Sequence, residues 1–491
     1  MSIAEPIALF TKNSISRLTK HSISLRYQFP RGYKFKLALL VGFAVFFYRL
    51  VVWIARNFGD ISLDQMLFHL GSDSTTGVPV KLIHSAVLEL GFRPLLAGAV
   101  GYGILSIPFA KRLFVHKILL WGCCCGILVT VYFLYDVLKL REYFESSDFT
   151  GDWYQVYGQP APKHLAAPHT KLNLVFIYVE SLEKYRVGSN TPLGKYSATY
   201  GAPKQWYMLP GTQWTLAAMI SSQCGVPQML HGFVGKNNLN KTPHPLQNTV
   251  CMADILREAN YQTLYIDSAN PAFAGKGNFF STHGFTDVHG FTNIETLFPK
   301  TQIPDWWGVP DTVLYDYTKQ KINNLADTGK PFYVALNTVN THGPHGALSS
   351  SCQKKGFTKD IDSIFDCSVS EVGEFLKWLN TQSFSKNTVV VMMGDHPIMA
   401  GHMIKNKFTA EKEPEIFFLI RRPDGVQLPS KKMTHVDIFP TTLAALGFAI
   451  PNERLGMGHN IYKSNSWVES VEPHEFRKAI RKPSPAYDAL W

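Results

Sequence analysis

The sequence predicts an α/β fold class, with an amino-terminal three-helix transmembrane anchor followed by a soluble α/β/α sandwich domain. Long apolar runs cluster near the amino terminus, yet the mean hydropathy of the chain is −0.03, too polar for a protein that lies wholly in a bilayer. After residue 170, apolar runs of strand length alternate with segments of helical spacing, which is typical of a mostly parallel sheet covered on both faces. With 46% hydrophobic residues among 491, the chain can bury a large core, and disorder is excluded.

The net charge of +11 is concentrated before the first apolar run. Residues 1–36 contain seven Lys or Arg side chains and one acidic residue, Glu5. We expect no nucleic-acid partner, because no basic groove interleaved with aromatic residues accompanies this charge. A secretory signal peptide is the alternative for this segment, and its basic length and the lack of a small-residue cleavage site after Ala55 argue against it.

Three apolar runs predict membrane spans, at Leu37–Ala55, at about residues 90–110 and at about residues 119–138. The first run has about 19 residues, close to the ~20 that cross a hydrocarbon layer. We expect Arg49, near the end of that run, to extend its charge toward the membrane interface.

The loops between the runs predict the orientation of the anchor. KRLFVHK (111–117) carries three Lys or Arg residues and no acidic residue, whereas the preceding inter-span segment carries Asp60, Asp64, Asp73 and Glu89. The positive-inside rule then places residues 1–36 in the cytoplasm and everything after the third span outside. We therefore expect a cytoplasmic basic segment at 1–36, an anchor at 37–140, a linker at 141–170 with three prolines in its last part, and one outer domain at 171–491.

The cysteines divide into two groups. Three are adjacent in the third apolar run and are expected to pack there, and four lie in the part placed outside. An oxidising compartment permits two disulfides among these four, most simply Cys224 with Cys251 and Cys352 with Cys367, although three connectivities are possible and four free buried thiols are the alternative.

The outer domain contains five strand-like runs and four helix-like segments. The strands are predicted at residues 172–179, 263–267, 331–339, 387–394 and 415–420, and the helices at 214–223, 252–259, 311–326 and 368–382. In such a fold the binding site lies at the carboxyl ends of the strands.

Acidic and imidazole side chains follow two of these strands. Glu180 comes directly after the first strand, and Asp395 with His396 follows NTVVVMMG (387–394). A carboxylate beside an imidazole at a strand end is a common ligand pair for Zn²⁺ or Mn²⁺. A helix cap or a salt-bridged turn is the alternative for the Asp–His pair.

A threonine lies ahead of the first predicted helix of the domain. Thr212 follows Pro-Gly in LPGTQWTLAAM (209–219), and its structural interpretation is a helix N-cap. Its chemical interpretation is a nucleophile whose hydroxyl is acidified by a cation, with the helix N–H groups favouring phosphate oxygens. The two roles are compatible.

Five motifs together resemble a known family. FIYVESLE (176–183), LPGT (209–212) ahead of SSQCGVP (221–227), NTHGP (340–344), MMGDHP (392–397) and HVDIFPTTLAALG (435–447) are similar to the membrane-anchored branch of the alkaline phosphatase and sulfatase superfamily. Within it they most resemble the phosphoglycerol transferase I group, with lipoteichoic acid synthases and lipid A phosphoethanolamine transferases as more distant relatives. The resemblance covers about residues 172–460 and implies an alkaline-phosphatase/sulfatase-like domain.

The resemblance also implies site roles. Glu180, Thr212, Asp395 and His396 would bind one divalent metal ion, Mn²⁺ or Zn²⁺, with Thr212 also the nucleophile. His342 would contact the transferred phosphoryl group or carry protons, and Lys276 would bind the headgroup, with a solvated loop charge as the alternative for Lys276. Cys224-Gly-Val-Pro-Gln departs from the C/S-x-P-x-R motif of formylglycine sulfatases, so a sulfatase activity is not expected. His402 and His435 could approach the metal, although their spacing does not select them.

The activity that the resemblance implies is transfer of phosphoglycerol from phosphatidylglycerol to an acceptor hydroxyl, such as one on a periplasmic glucan, through a covalent phosphothreonine-type intermediate. It further implies a bacterial inner-membrane protein with residues 171–491 as a periplasmic catalytic domain. The alternatives are phosphoethanolamine transfer, hydrolysis of a phosphodiester or phosphomonoester, and a non-enzymatic envelope scaffold.

Overall fold

The computed structural model describes residues 32–59, 61–71, 78–107, 113–145, 147–197, 199–229, 239–297, 307–343, 345–398 and 414–491. Most of the predicted cytoplasmic segment, part of the KRLFVHK loop and His402 lie outside the described residues. The chain divides into two compact units, one formed by Met1–Arg49 with Leu88–Thr130 and the other by Leu50–Val87 with Val131–Trp491.

The amino-terminal part contains five α-helices within the described residues. They are α1 (Tyr33–Phe58), α2 (Leu63–Gly71), α3 (Val80–Ala86), α4 (Arg93–Ser106) and α5 (Leu113–Val137), with a π-helical turn at Val87–Phe92 joining α3 to α4. Three continuous helices, Tyr33–Phe58, Val80–Ser106 and Val115–Val137, are long and apolar enough to cross a membrane. The three apolar helices expected from the sequence are thus present, and the second starts about ten residues earlier than expected, directly after Pro79.

In the smaller unit Arg49 lies beside an acidic side chain. Its guanidinium lies 3.2 Å from the carboxylate of Glu89, which also pairs with Arg93 at 2.8 Å. The charge of Arg49 is therefore compensated by a neighbouring helix. A buried or half-buried ion pair of this kind is the usual way in which a charge is accommodated among apolar helices.

The larger unit contains a six-stranded sheet with spatial order β4-β3-β5-β1-β6-β7. Its strands are β1 (Asn173–Val179), β3 (Gln262–Asp267), β4 (Asp287–His289), β5 (Phe332–Asn337), β6 (Thr388–Gly394) and β7 (Phe418–Arg421). All neighbouring pairs are parallel except β6 with β7. Two small sheets pair β2 (Gln205–Trp206) with β8 (Lys432–Met433) and β9 (Arg454–Leu455) with β10 (Gly458–His459).

Fourteen further α-helices lie in the described part of this unit. In chain order they are α6 (Arg141–Phe144), α7 (Trp153–Tyr157), α8 (Pro192–Ser197), α9 (Thr215–Cys224), α10 (Met252–Glu258), α11 (Lys276–Thr282), α12 (Phe291–Ile294), α13 (Asp311–Asp327), α14 (Ser350–Lys354), α15 (Ile361–Thr381), α16 (Ile438–Ala445), α17 (Trp467–Ser470), α18 (Pro473–Ile480) and α19 (Pro485–Asp488).

The sheet is buried on both faces. Phe176 and Tyr178 of β1 pack in one core with α9, α10 and α16, whereas Val175 and Ile177 pack in a second core with α13 and α15. Successive strand residues point to opposite faces, so a strand covered on both sides reads as a continuous apolar run. The predicted α/β/α sandwich is confirmed.

The predicted disulfides are also confirmed. Cys224 is bonded to Cys251, and Cys352 is bonded to Cys367. The three cysteines of α5, Cys123, Cys124 and Cys125, are free.

Candidate active site

Two neighbouring strands bring three of the predicted site residues together. In the register of β1 with β6, Val179 lies opposite Gly394, so the next residues, Glu180 and Asp395, leave the sheet side by side. The ligand atoms of Glu180, Asp395 and His396 all lie within 4.8 Å of one another. His396 Nε2 is 3.4 Å from Glu180 Oε1 and 3.5 Å from Asp395 Oδ2.

The backbone around this cluster is tightly constrained. Ser181, directly after Glu180, has φ +54°, an uncommon conformation for a residue with a side chain. Its N–H donates to Asp395 Oδ1 at 2.7 Å, and its hydroxyl donates to Glu180 Oε1 at 2.7 Å. Gly394 is required because a Cβ there would overlap the carbonyl oxygen of Leu182. The turn after β1 therefore orients both carboxylates.

The donor set of the cluster fits a divalent cation. His396 Nδ1 donates to the carbonyl of Pro397 at 2.8 Å, which directs Nε2 at the two carboxylates. Asp395 Oδ2 is buried and has no hydrogen-bond partner among the described residues. Two buried carboxylates and an imidazole nitrogen that converge on one point are a suitable ligand set for a divalent cation. Burial, reinforced by the charge of Glu180, raises the pKa of Asp395 to about 6, which shows how poorly the protein alone stabilises this carboxylate.

The hydroxyl beside the cluster is that of Thr215, which corrects the expectation for Thr212. Thr215 Oγ1 lies 3.4 Å from Glu180 Oε2 and 3.3 Å from His396 Nε2. Thr212 Oγ1 instead donates to the carbonyl of Leu209 at 2.8 Å and closes the turn. The N-cap interpretation of Thr212 is also wrong, because the N-cap of α9 is Trp214.

The sequence held a signal for Thr215. The apolar helical pattern begins at this residue, and the preceding Pro-Gly belongs to a turn, in which Gly211 has φ +71° against the backbone of Gln228. The first N–H groups of an α-helix have no partners within the helix and favour phosphate oxygens. Thr215 therefore combines a hydroxyl at the carboxylates with the start of a ten-residue helix.

His342 lies in the same cavity as the cluster. Its Nδ1 donates to the carbonyl of Gly343 at 2.9 Å, so the neutral ring presents Nε2 as an acceptor. Its ring packs against Trp307, with 4.4 Å between centroids. Burial lowers the pKa of His342 to about 4, and the imidazole is therefore neutral at physiological pH and can accept a hydrogen bond.

Lys276 is buried and paired rather than solvated. It is 4% exposed, and its Nζ lies 2.7 Å from Asp267 Oδ2. Asp267 is held in turn by the hydroxyl of Tyr265 at 2.9 Å and the N–H of Ala269 at 2.9 Å. The alternative of a solvated loop charge is therefore wrong. Lys276 lines the cavity, and the carboxylate of Asp267 compensates its charge.

His435 supports the cluster from outside. Its Nε2 donates to the carbonyl oxygen of Asp395 at 2.8 Å, and its ring meets that of Trp206 edge to face. This hydrogen bond fixes the backbone of Asp395.

A cavity of about 350 Å³ opens onto these groups. Its lining includes Glu180, Thr215, Lys276, His342 and His396, together with residues of α1, α2 and α3. All of the lining residues belong to the larger unit.

Comparison with known proteins identifies the family of this chain. A family model described as Sulfatase matches residues 173–448, which is more than half of the chain and includes β1, α9 and β6. The chain belongs to the sulfatase family. In this sulfatase-family chain the sulfur of Cys224 is held in a disulfide, in keeping with the missing formylglycine motif.

Curated relatives of this sulfatase-family chain are larger proteins. Phosphoglycerol transferase I of Salmonella agona (strain SL483) is 31% identical over 332 residues, covering 65% of this chain and 42% of the relative. Phosphoglycerol transferase I of Citrobacter koseri is 30% identical over 339 residues, covering 66% and 43%. The match therefore spans less than half the length of these relatives.

A solved membrane protein is similar over most of the chain. It is lipooligosaccharide phosphoethanolamine transferase A (EptA) from Neisseria meningitidis, with 13% identity, coverage of 89% of this chain and 87% of that one, and a TM-score of 0.49.

Proposed function

We propose that this protein transfers phosphoglycerol from phosphatidylglycerol to an acceptor hydroxyl, with Thr215 as the nucleophile. The observation that carries the proposal is the position of the Thr215 hydroxyl, at the start of α9 and within 3.4 Å of both Glu180 and His396. The curated relatives named phosphoglycerol transferase I support the choice of headgroup.

Glu180, Thr215, Asp395 and His396 would hold the divalent ion. When bound, such an ion lowers the pKa of a coordinated hydroxyl and offsets negative charge on phosphoryl oxygens. Mn²⁺ and Zn²⁺ both accept carboxylate and imidazole ligands.

The transfer takes place in two balanced steps. In the first, Thr215 Oγ1 forms a bond to phosphorus, the bond from phosphorus to the diacylglycerol oxygen breaks, and the proton of the threonine hydroxyl ends on diacylglycerol. In the second, an acceptor oxygen bonds to phosphorus, the threonine–phosphorus bond breaks, and the acceptor proton returns to Thr215. His342 lines the same cavity and has Nε2 as its acceptor nitrogen, and it would carry these protons.

Two features would orient the donor. The first N–H groups of α9 are suited to bind phosphoryl oxygens. The Lys276 ammonium, fixed by Asp267, lies on the cavity wall and would bind the headgroup oxygens. A lysine presents a point charge and lacks the bidentate geometry of arginine.

The setting that fits this reaction is the bacterial inner membrane, with the catalytic domain in the periplasm and a glucan as acceptor. The basic residues before the first span and the positive-inside rule favour a cytoplasmic amino terminus. The two disulfides favour an oxidising compartment for the larger unit.

Headgroup release tests the proposal. The detergent-solubilised protein is incubated with radiolabelled phosphatidylglycerol or phosphatidylethanolamine, with Mn²⁺ or Zn²⁺, and diacylglycerol is measured with and without an added glucan. We expect release from phosphatidylglycerol, label on the glucan, and no release by Thr215→Ala. Release from phosphatidylethanolamine alone would overturn the headgroup assignment, glucan-independent release of free glycerophosphate would indicate a hydrolase, and no release from either lipid would overturn the lipid donor.

A further inference from the structure

The segment between the first two apolar helices forms part of the cavity that contains Thr215. Gln65 and His69 of α2 line this cavity. They are four residues apart and therefore lie on one face of the helix. None of the motifs that identify the family includes this segment, because the family match begins at residue 173.

α2 is fastened to the catalytic part of the same unit. Phe68 is fully buried and its ring packs against Trp214, the residue before Thr215, with 5.5 Å between centroids. The backbone N–H of Asp64 donates to the hydroxyl of Tyr143 at 2.9 Å. Contacts in both halves of α2 therefore hold His69 in place relative to Thr215.

His69 ends an arc of aromatic rings along the cavity wall. Its ring stacks on Phe273 at 6.1 Å, Phe273 meets Trp307 at 5.3 Å, and Trp307 meets His342 at 4.4 Å, all between centroids. The arc thus has a nitrogen-bearing ring at each end. Burial lowers the pKa of His69 to about 4, so its ring is neutral and can both donate and accept a hydrogen bond.

The cavity is lined by apolar as well as polar side chains. Besides the polar groups around Thr215, its lining includes apolar side chains of the amino-terminal helices, Trp53 and Phe58 of α1 and Leu82, Ile83 and Ala86 of α3. α1 and the continuous helix Val80–Ser106, which α3 begins, are each long and apolar enough to cross a membrane. An amphipathic molecule with its phosphate at Thr215 would place apolar carbons between α1 and α3, and its intervening polar atoms would pass His69.

We propose that His69 is a binding residue for the lipid donor, hydrogen-bonded to oxygen atoms between the reacting phosphorus and the acyl chains, while α1 and α3 hold the first acyl carbons. This inference rests on the proposed function and adds the part of the donor that remains in diacylglycerol. It predicts that α2 selects a diacylglycerol-based phosphodiester over a small soluble one, whatever the headgroup.

Three substitutions separate hydrogen bonding from packing. His69→Phe keeps a ring on Phe273 and loses both nitrogens, His69→Gln keeps a hydrogen-bonding group, and His69→Ala loses both. His164→Phe is the matched control, since His164 is an exposed histidine of the same unit, with a side chain 77% exposed. The kcat and KM for diacylglycerol release are measured in mixed micelles, alongside hydrolysis of the soluble diester bis(p-nitrophenyl) phosphate and the unfolding midpoint.

We expect His69→Phe to raise KM for the lipid about tenfold, as loss of one hydrogen bond to a ligand does, with turnover of the soluble diester and the unfolding midpoint unchanged. His69→Gln should recover most of the lipid KM. The inference is overturned if His69→Phe matches the wild type on the lipid, or if it loses lipid and soluble turnover equally, which would indicate a packing role. In either case lipid turnover by the wild type would leave the proposed function standing, whereas absence of diacylglycerol release by the wild type would overturn both.

Discussion

Thr215 Oγ1 lies 3.3 Å from His396 Nε2, although the two residues are 181 positions apart in the chain. One begins a helix and the other follows a strand. Their contact places a hydroxyl, an imidazole and two carboxylates around one point at the carboxyl edge of the sheet. This relationship distinguishes Thr215, the first residue of α9, from Thr212, which precedes the helix.

Replacing Thr215 and Thr212 separately tests that distinction. Thr215→Ala should lower diacylglycerol release by more than about a thousandfold, because no other group would replace the nucleophile. Thr212→Ala should keep the activity and lose about 1 kcal/mol of stability with its turn hydrogen bond. Activity assays and thermal unfolding check both. Full activity in Thr215→Ala, with loss in Thr212→Ala, would restore the assignment made from the sequence.

Removal of divalent ions should affect stability as well as activity. Glu180 and Asp395 are buried side by side, so without a cation their repulsion destabilises the fold. We expect a chelator to lower the unfolding midpoint and Mn²⁺ or Zn²⁺ to restore it. Asp395→Asn should make the midpoint insensitive to chelator, whereas Asp424→Asn, on an exposed loop, should respond like the wild type. A wild-type midpoint unaffected by chelator and by added ion would contradict the metal site.

Variants of the Lys276–Asp267 pair should distinguish a structural role of Lys276 from a role in activity. Lys276→Met leaves the buried Asp267 carboxylate without its cation, which typically costs about 3–5 kcal/mol. Adding Asp267→Asn removes that charge, so the double variant should regain most of the stability. It should not regain activity, since the ammonium on the cavity wall is still missing. Recovery of activity together with stability would show that Lys276 has only a structural role.

Asp311 should make the stability depend on pH. Burial, reinforced by the charges of Glu371 and Glu180, raises the pKa of Asp311 to about 8. Between its ordinary pKa of about 4 and this value, the folded state holds a proton that the unfolded state lacks, so the free energy of unfolding falls by up to about 1.4 kcal/mol per pH unit as the pH rises. This contribution levels off above the folded-state pKa.

The variant Asp311→Asn isolates this effect. Asp311 Oδ1 accepts hydrogen bonds from the N–H groups of Val339 and Asn340 at 2.8 and 3.1 Å, which an amide oxygen can also accept. As the pH is raised from 5 to 8, we expect the unfolding midpoint of Asp311→Asn to rise relative to that of the wild type. A constant difference across this range would show that Asp311 is ionised in the folded protein.

Much of the fold could be predicted because burial leaves a local pattern. β1, β3, β5 and β6 are covered on both faces and therefore appear as continuous apolar runs, which located them to within two residues. β4 has three residues, with one exposed and two half-buried, and gave no such signal. The start of the second apolar helix was missed because its first turns carry Lys81, His84 and Glu89.

Local sequence determined the strands β1, β3, β5 and β6, the apolar helices, and the acidic and imidazole groups that follow β1 and β6. Tertiary structure alone decided that Thr215 rather than Thr212 meets those groups, that Asp267 lies behind Lys276, and that His69 of α2 enters the same cavity. The physical reason is that periodicity and turn residues report how each segment is buried, over a few positions. Which side chains meet depends on how distant segments pack, and that is set by the contacts of the whole core.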